Sequence, residues 1–135
     1  MKYQETIESR AVDITRLRNH ATAAGAERDV SLEGYKQWQA AWAEFNDRYD
    51  DLAFLGGAST AHRRMRCGDA EAIEYALCFI EIRPYFFRSG YMYNHFLRIL
   101  RNCELTEVQR MRYNNVYARY LEYRLQQGDC SQVAR

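Results

Sequence analysis

Residues 35–52 read YKQWQAAWAEFNDRYDDL, and their large apolar side chains decide the fold class. These side chains recur at alternating spacings of three and four residues, which places them on one stripe of an α-helix. The alternation is sustained over nearly three heptads, as in the apolar seam between packed helices. The sequence therefore predicts a long helix with a buried seam made of Tyr35, Trp38, Trp42, Phe45, Tyr49 and Leu52.

The preceding segment, residues 3–24, has the same helical spacing, and Gly25 is suited to end that helix. Ser31 is a residue type that caps helix N-termini, so it marks the start of the second helix. Two helices with matching seams and a short connection are expected to pack as an antiparallel hairpin. The seam of the first helix consists of Tyr3, Ile7, Ile14, Leu17, Ala21 and Ala24.

The middle of the chain predicts a linker and then a central helix. Gly56 and its neighbouring glycine end the second helix, and the basic segment after them is expected to hold only a short helical turn near Thr60–Met65. Asp69 is placed to cap a third long helix, which Pro84 terminates. Because residues 70–82 are apolar on two sides, this helix is expected to have neighbours on both.

Two further helices complete the predicted fold. Ser89 is expected to cap the fourth, and Thr106 with Gln109 has capping-box spacing for the last, which should run to about Gln127 and stop at Gly128 before a frayed tail. The prediction is one all-α domain spanning residues 1–135, with five to six helices arranged as an antiparallel helical bundle or as stacked helical hairpins. The core face of the fourth helix consists of Met92, Phe96, Ile99 and Leu100. The last helix has one face with Tyr113, Val116, Tyr117, Tyr120 and Arg124, and another with Val108, Met111, Ala118, Leu121 and Leu125.

Composition indicates a cytoplasmic protein with no membrane segment. Apolar residues make up 47% of the 135 residues, enough for a core without disulfides or metals. The longest uncharged apolar run near the middle, Tyr75–Ile80, is too short to cross a bilayer, and the N-terminus does not resemble a signal peptide. The four cysteines, Cys67, Cys78, Cys103 and Cys130, form no CxxC pair and are interpreted as reduced, small buried residues.

The chain contains none of the motifs that mark the common catalytic and metal-binding classes. Neither zinc-ligand spacing nor a Glu-x-x-His pair occurs, and phosphate-binding glycine loops and the nucleophile elbow are absent from the sequence. His95 is interpreted as a half-buried structural histidine, because catalysis would need a nucleophile and an orienting acid. We therefore expect a protein that is not an enzyme and uses no cofactor or metal. An enzyme that pairs His95 with a carboxylate in a pocket remains an alternative.

An acidic face is predicted on the second helix. Its four carboxylates point away from the aromatic seam when Tyr35 is taken as heptad position a. Such a stripe suits docking to a basic partner, and the alternative is a solvated outer face without a partner. The acidic face consists of Glu44, Asp47, Asp50 and Asp51.

A basic, aromatic face is predicted from residues 83–124. This stretch holds ten aromatic residues, eight arginines and three acids, a net charge of +5. Arginine and tyrosine are enriched at binding hot spots, and if the last two helices are adjacent their arginines should line one groove. Alternatively, the arginines pair within the chain with Glu71, Glu74, Glu81 and Glu122. The predicted basic face consists of Arg88, Tyr91, Tyr93, Arg98, Arg101, Arg112 and Arg119.

The run PYFFRSGYMYNHFLRILRN, residues 84–102, carries a family resemblance. Together with the helix from Ile73, it is similar to a pattern in small, largely uncharacterised helical bacterial proteins, some of them of the immunity-protein type. In those proteins a helix ends at Pro-aromatic-aromatic-Arg-Ser-Gly-Tyr and a basic helix follows. The Met92-Tyr93 pair departs from the more polar helix start of that pattern. The resemblance implies a non-enzymatic interaction protein and assigns no functional residues.

Two functions of different classes follow as hypotheses. The first is a protein-binding factor, an immunity protein or inhibitor that occludes the functional site of a partner such as a toxin or an enzyme. The acidic face would suit a basic partner and the basic face an acidic one. The second is a module that binds RNA or single-stranded nucleic acid through Arg88, Arg98, Arg101, Arg112 and Arg119. The aromatic content also suits a homodimer.

Overall fold

A computed structural model describes the backbone of residues 2–133 and the side chains of residues 2–127. Within these residues the protein forms six α-helices and one short 3₁₀ turn, Gly25–Glu27, and has no β-strand. The prediction of an all-α helical bundle is therefore confirmed. The helices are α1 (Gln4–Ala24), α2 (Leu32–Ala53), α3 (Ala58–Arg66), α4 (Ala70–Ile82), α5 (Ser89–Arg101) and α6 (Glu107–Val133).

Helices α1 and α2 form the antiparallel hairpin that their seams predict. At one end the guanidinium of Arg28 lies 5.1 Å from the ring centre of Trp38. At the other end Arg10 donates a hydrogen bond to the backbone carbonyl of Asp51 at 3.1 Å. Ser31 caps α2 as predicted, because its hydroxyl accepts a backbone N–H at 3.0 Å.

The aromatic seam of α2 faces inward along most of its length. Phe45 is buried and shares a core cluster with Ile14 and Leu17 of α1. Tyr35, in the first turn, is 41% exposed, so the seam opens to solvent at that end. The remaining seam residues are half-buried: Trp38, Trp42, Tyr49 and Leu52.

Helix α4 is the central element, as its two apolar faces predict. It contacts α1, α3, α5 and α6, and both of its faces are covered. Asp69 caps it by accepting the backbone N–H groups of Glu71 at 3.0 Å and Ala72 at 3.2 Å. Its buried residues are Ala72, Ile73, Tyr75, Ala76, Leu77, Cys78, Phe79 and Ile80.

Helix α3 is longer than the short turn predicted for this basic segment. The carboxylate of Asp50 on α2 accepts the backbone N–H of Ser59 at 2.7 Å and its hydroxyl at 3.1 Å. A carboxylate there satisfies a backbone donor that the first turn of a helix leaves without a partner. Because this cap comes from the preceding helix, nine residues before Ser59, the capping pattern at the start of α3 itself does not reveal it.

The start of α5 differs from the prediction. Ser89 is its first residue, whereas the residue before the helix is Arg88, whose φ of 68° is left-handed. The hydroxyl of Ser89 accepts the N–H of Phe86 at 3.0 Å and therefore closes the preceding loop instead of capping the helix.

The end of α6 also differs from the prediction, because the helix continues through Gly128 to Val133. Glycine inside a helix costs about 1 kcal/mol relative to alanine, which weakens a helix without having to end it. Helix thus replaces the predicted frayed tail up to Val133, and residues 134–135 lie outside the described residues. The second face of α6 is exposed: Val108, Met111, Ala118, Leu121 and Leu125.

The cysteines occupy three different environments. Cys78 is buried, and burial raises the pKa of its thiol; Cys103 is half-buried. Cys67 is exposed, so its interpretation as a buried residue is wrong: it follows the last turn of α3 at the surface. Cys130 lies outside the residues whose side chains the structure describes.

Candidate functional site: a groove between the last two helices

Helices α5 and α6 lie next to each other, which is the arrangement on which the predicted groove depends. The buried hydroxyl of Tyr113 on α6 donates to the backbone carbonyl of Leu97 on α5 at 2.7 Å. The connection between the helices ends in the predicted capping box. In it the Thr106 N–H donates to the Gln109 side chain at 3.0 Å, and the Gln109 N–H donates to the Thr106 hydroxyl at 3.1 Å. These contacts fix the two helices at one spacing.

A groove with two connected lobes runs along this helix pair. One lobe has a volume of about 580 Å³ and the other about 400 Å³. They share Asn94, Tyr120 and Arg124, so they form one continuous surface. We call it the arginine-tyrosine groove after the side chains that dominate its walls. These are Arg83, Arg98, Arg101, Arg119 and Arg124, with Tyr85, Tyr93, Tyr113, Tyr117, Tyr120 and Tyr123.

Arg83 shapes one end of the groove. Its backbone is left-handed, with φ of 53°, and it ends α4. Its guanidinium donates to the carbonyl of Pro84 at 3.0 Å and lies 4.7 Å from the ring centre of Tyr85 and 5.0 Å from that of Tyr93. Arginine over aromatic rings is a favourable cation–π arrangement. The loop before α5 is thus held against the helix by one arginine.

Two more arginines lie over tyrosine rings inside the groove. Arg101 is 5.4 Å from the ring centre of Tyr117 and also donates to its hydroxyl at 3.1 Å. Arg124 lies 5.9 Å from the ring centre of Tyr120. Burial raises the pKa of Tyr93, an effect that the charge of Arg83 partly offsets. A phenol with a raised pKa stays neutral at physiological pH, so Tyr93 supplies no negative charge to the groove.

The positive charge of the groove is not neutralised by the described residues. Glu81 is the one carboxylate among the described residues that line it. Arg112 holds Glu81 at 2.6 Å and Glu74 at 2.6 Å, and these two carboxylates raise the pKa of Arg112. None of the groove arginines forms an ion pair with a carboxylate among residues 2–127. The groove is therefore a net positive surface.

The structure divides the predicted basic face. Arg98, Arg101, Arg119 and Tyr93 line the groove. Arg112 is committed to an internal ion pair, which is the alternative that the sequence left open for these arginines. Arg88 precedes α5 and lies over the ring of Phe87 at 5.1 Å, outside the groove.

Tyr91 and His95 lie on the side of α5 that faces α3. Their rings stack with centres 6.2 Å apart, and His95 Nε2 is 3.2 Å from His62 Nδ1. Burial lowers the pKa of His95, and the charges of His62, Arg98 and Arg66 lower it further. No carboxylate of the described residues hydrogen-bonds to either histidine. The pair thus lacks the orienting acid that a catalytic histidine needs.

The predicted acidic face is divided as well. Asp50 caps α3 and is part of the scaffold. Glu44 lies 3.7 Å from Arg48 on the surface of the same helix, a weak exposed pair. Asp47 and Asp51 are exposed. Fewer carboxylates are therefore available on this face than the four that the heptad pattern predicts.

The helical spacing of the sequence puts Tyr113, Tyr117, Tyr120 and Arg124 on one face of the last helix, but none of the four belongs to the predicted basic face. The composition of this face carried the signal, because three of its five residues are tyrosines and one is an arginine, where a core helix would have aliphatic residues. Tyr85 and Tyr123 carried no such signal. Tyr85, in the loop after α4, and Tyr123, on α6, line the same lobe of the groove.

Comparison with family models, with curated proteins and with solved structures finds no match to this chain. Among the described residues, no helix is both long enough and apolar enough to traverse a membrane. No three histidine, cysteine or carboxylate side chains of these residues come together in a metal-binding arrangement. The fold and the groove define an all-helical protein with a cationic, tyrosine-lined surface.

Proposed function

We propose that this protein is a non-enzymatic binding factor of the immunity-protein or inhibitor kind, and that the arginine-tyrosine groove is its working surface. The observation that carries the proposal is the charge of the groove. Five arginines line it, and the single lining carboxylate among the described residues is already held by Arg112. Arginine and tyrosine are also the residue types that dominate protein-binding hot spots.

The proposed mechanism is occlusion of a functional site on a partner protein. Two helices tied by the Tyr113–Leu97 hydrogen bond present a surface that needs little ordering on binding, which favours affinity. The groove arginines, which form no ion pair with a carboxylate among residues 2–127, accelerate encounter with an acidic surface, and the tyrosines contribute to the lifetime of the complex. Catalysis by this chain is not required.

Co-purification from the native host tests this proposal. The intact chain is used as bait beside a groove variant, Arg98→Gln/Arg119→Gln, and a control of equal charge, Arg16→Gln/Arg48→Gln. We expect a stoichiometric protein partner on the wild type and on the control, its loss from the groove variant, and inhibition of the partner's activity in the complex. Failure to retain any protein at low salt, or equal retention by all three baits, would count against the proposal.

A second candidate is binding of RNA or single-stranded DNA. The observation in its favour is that Tyr123 is 60% exposed at the edge of the groove, where a base could stack on it, and that Tyr85 is 78% exposed even though Arg83 lies over its ring. Mobility shifts with RNA and DNA across a salt series test it. Phosphate contacts require affinity to fall steeply as salt rises, so a flat response contradicts this candidate.

A further inference from the structure

We infer that the occupant of the arginine-tyrosine groove is an extended, carboxylate-rich segment of a partner protein. The inference rests on the proposed function and specifies the chemistry of the partner at that site. Its basis is the way in which arginines and rings are paired along the groove.

Three of the five groove arginines have a face covered by a tyrosine ring, and two of these three also donate from an edge, Arg83 to the Pro84 carbonyl and Arg101 to the Tyr117 hydroxyl. Arg83, Arg101 and Arg124 each lie over a tyrosine ring, at 4.7 to 5.9 Å from the ring centres. The five N–H donors of a guanidinium lie in its plane, so the donors that have no partner stay available when a face is covered. A carboxylate binds that edge through two parallel hydrogen bonds.

The same pairing removes ring faces that nucleobases would need. Recognition of single strands depends on bases stacking against open aromatic faces. Here Tyr93, Tyr117 and Tyr120 are each covered by an arginine. Tyr113 is buried and stacks on Tyr117, with ring centres 5.9 Å apart and planes 13° apart. The groove therefore suits carboxylates better than a row of stacked bases.

The groove is long enough to hold more than a single small anion. Its two lobes meet at Asn94, Tyr120 and Arg124, and the part of α5 from Tyr93 to Arg101 passes along both of them. These eight steps rise about 12 Å along a helix, a length that an extended peptide spans with about four residues. Arg119 lines one lobe and Arg98 the other, so acidic side chains on one face of an extended segment can meet a cation in each lobe.

The test measures affinity by fluorescence anisotropy with labelled decaglutamate and with a labelled oligouridine, at low and at physiological salt. We expect decaglutamate to bind more tightly than the oligonucleotide, with an affinity that decreases at higher salt. Arg98→Gln/Arg119→Gln should weaken decaglutamate binding about tenfold or more. The affinity of Arg98→Lys/Arg119→Lys for decaglutamate should lie between those of the wild type and the glutamine variant, because lysine keeps the charge but lacks the planar guanidinium.

The control of equal charge is Arg16→Gln/Arg48→Gln, on exposed surfaces of α1 and α2, and it should bind as the wild type does. Circular dichroism establishes that each variant keeps its helical content. Tighter binding of oligouridine overturns the inference in favour of nucleic acid. Absence of decaglutamate binding, or equal loss in the groove variant and the control, also overturns it. If a protein partner is nevertheless retained in the co-purification, the proposed function stands and only the occupant is wrong.

Discussion

Arg112 is the residue at which the arginine-rich sequence is most easily misread. It bridges two carboxylates of α4, with distances of 2.6 Å to Glu74 and 2.6 Å to Glu81, and all three side chains are less than one-third exposed. Arg112→Ala would leave two half-buried carboxylates without a partner. We predict a decrease of about 2–3 kcal/mol in the free energy of unfolding, measured by urea denaturation.

The matched control for this prediction is Arg48→Ala, which removes an exposed pair with Glu44 on α2. Arg48→Ala is expected to lower the free energy of unfolding by about 0.5 kcal/mol or less. If Arg112→Ala lowers the free energy of unfolding no more than Arg48→Ala does, the ion pairs of Arg112 do not stabilise the fold. Arg112 would then be available for binding a partner.

His95 confers a pH dependence on stability. Burial, His62, Arg98 and Arg66 lower its pKa from 6.5, so the unfolded chain takes up the proton at a higher pH than the folded chain. The contribution of His95 to stability is therefore complete above pH 6.5 and decreases as pH falls through that value. We predict that Tm falls more steeply for the wild type than for His95→Gln between about pH 8 and about pH 5.

His20→Gln, at an exposed position on α1, serves as the control and should keep the wild-type pH profile. Because carboxylates also titrate at the acidic end, only the difference between the profiles is diagnostic. Identical profiles for the wild type and His95→Gln would mean that folding does not lower the pKa of His95.

At the scale of elements, the start of α3 depends on a carboxylate from α2. Asp50→Ala removes the acceptor of the Ser59 N–H, and we predict a loss of about 1–2 kcal/mol in unfolding free energy. Asp47→Ala, one turn earlier and exposed, should change stability by about 0.5 kcal/mol or less. Equal effects in urea denaturation would contradict the assignment of Asp50 to the scaffold.

The helices with strong periodicity were predictable from sequence, and those that depend on contacts between helices were less so. The seam around Phe45 and the caps Ser31 and Asp69 predict α2 and α4 because spacing and capping chemistry are local. The full length of α3 depends on Asp50, which no local pattern reveals. The predicted end of α6 at Gly128 was wrong, because a single glycine weakens a long helix without ending it.

For the whole molecule, the candidate site depends on which helices are neighbours. The sequence indicated an arginine- and tyrosine-rich surface and made its groove conditional on the adjacency of the last two helices. The Tyr113–Leu97 hydrogen bond reflects that adjacency. The sequence did not indicate which arginines form ion pairs within the chain. Arg98 and Arg101 reach the groove, whereas Arg112 is turned toward Glu74 and Glu81.

The central claim is that the working surface lies between α5 and α6, and backbone amide chemical shifts test it most directly. The ¹⁵N-labelled protein is titrated with decaglutamate at low salt, and shift changes are mapped by residue. The account predicts that the largest changes fall on residues 93–101 and 117–124. Changes concentrated on α2 around Asp47, or spread evenly over the surface, would contradict it.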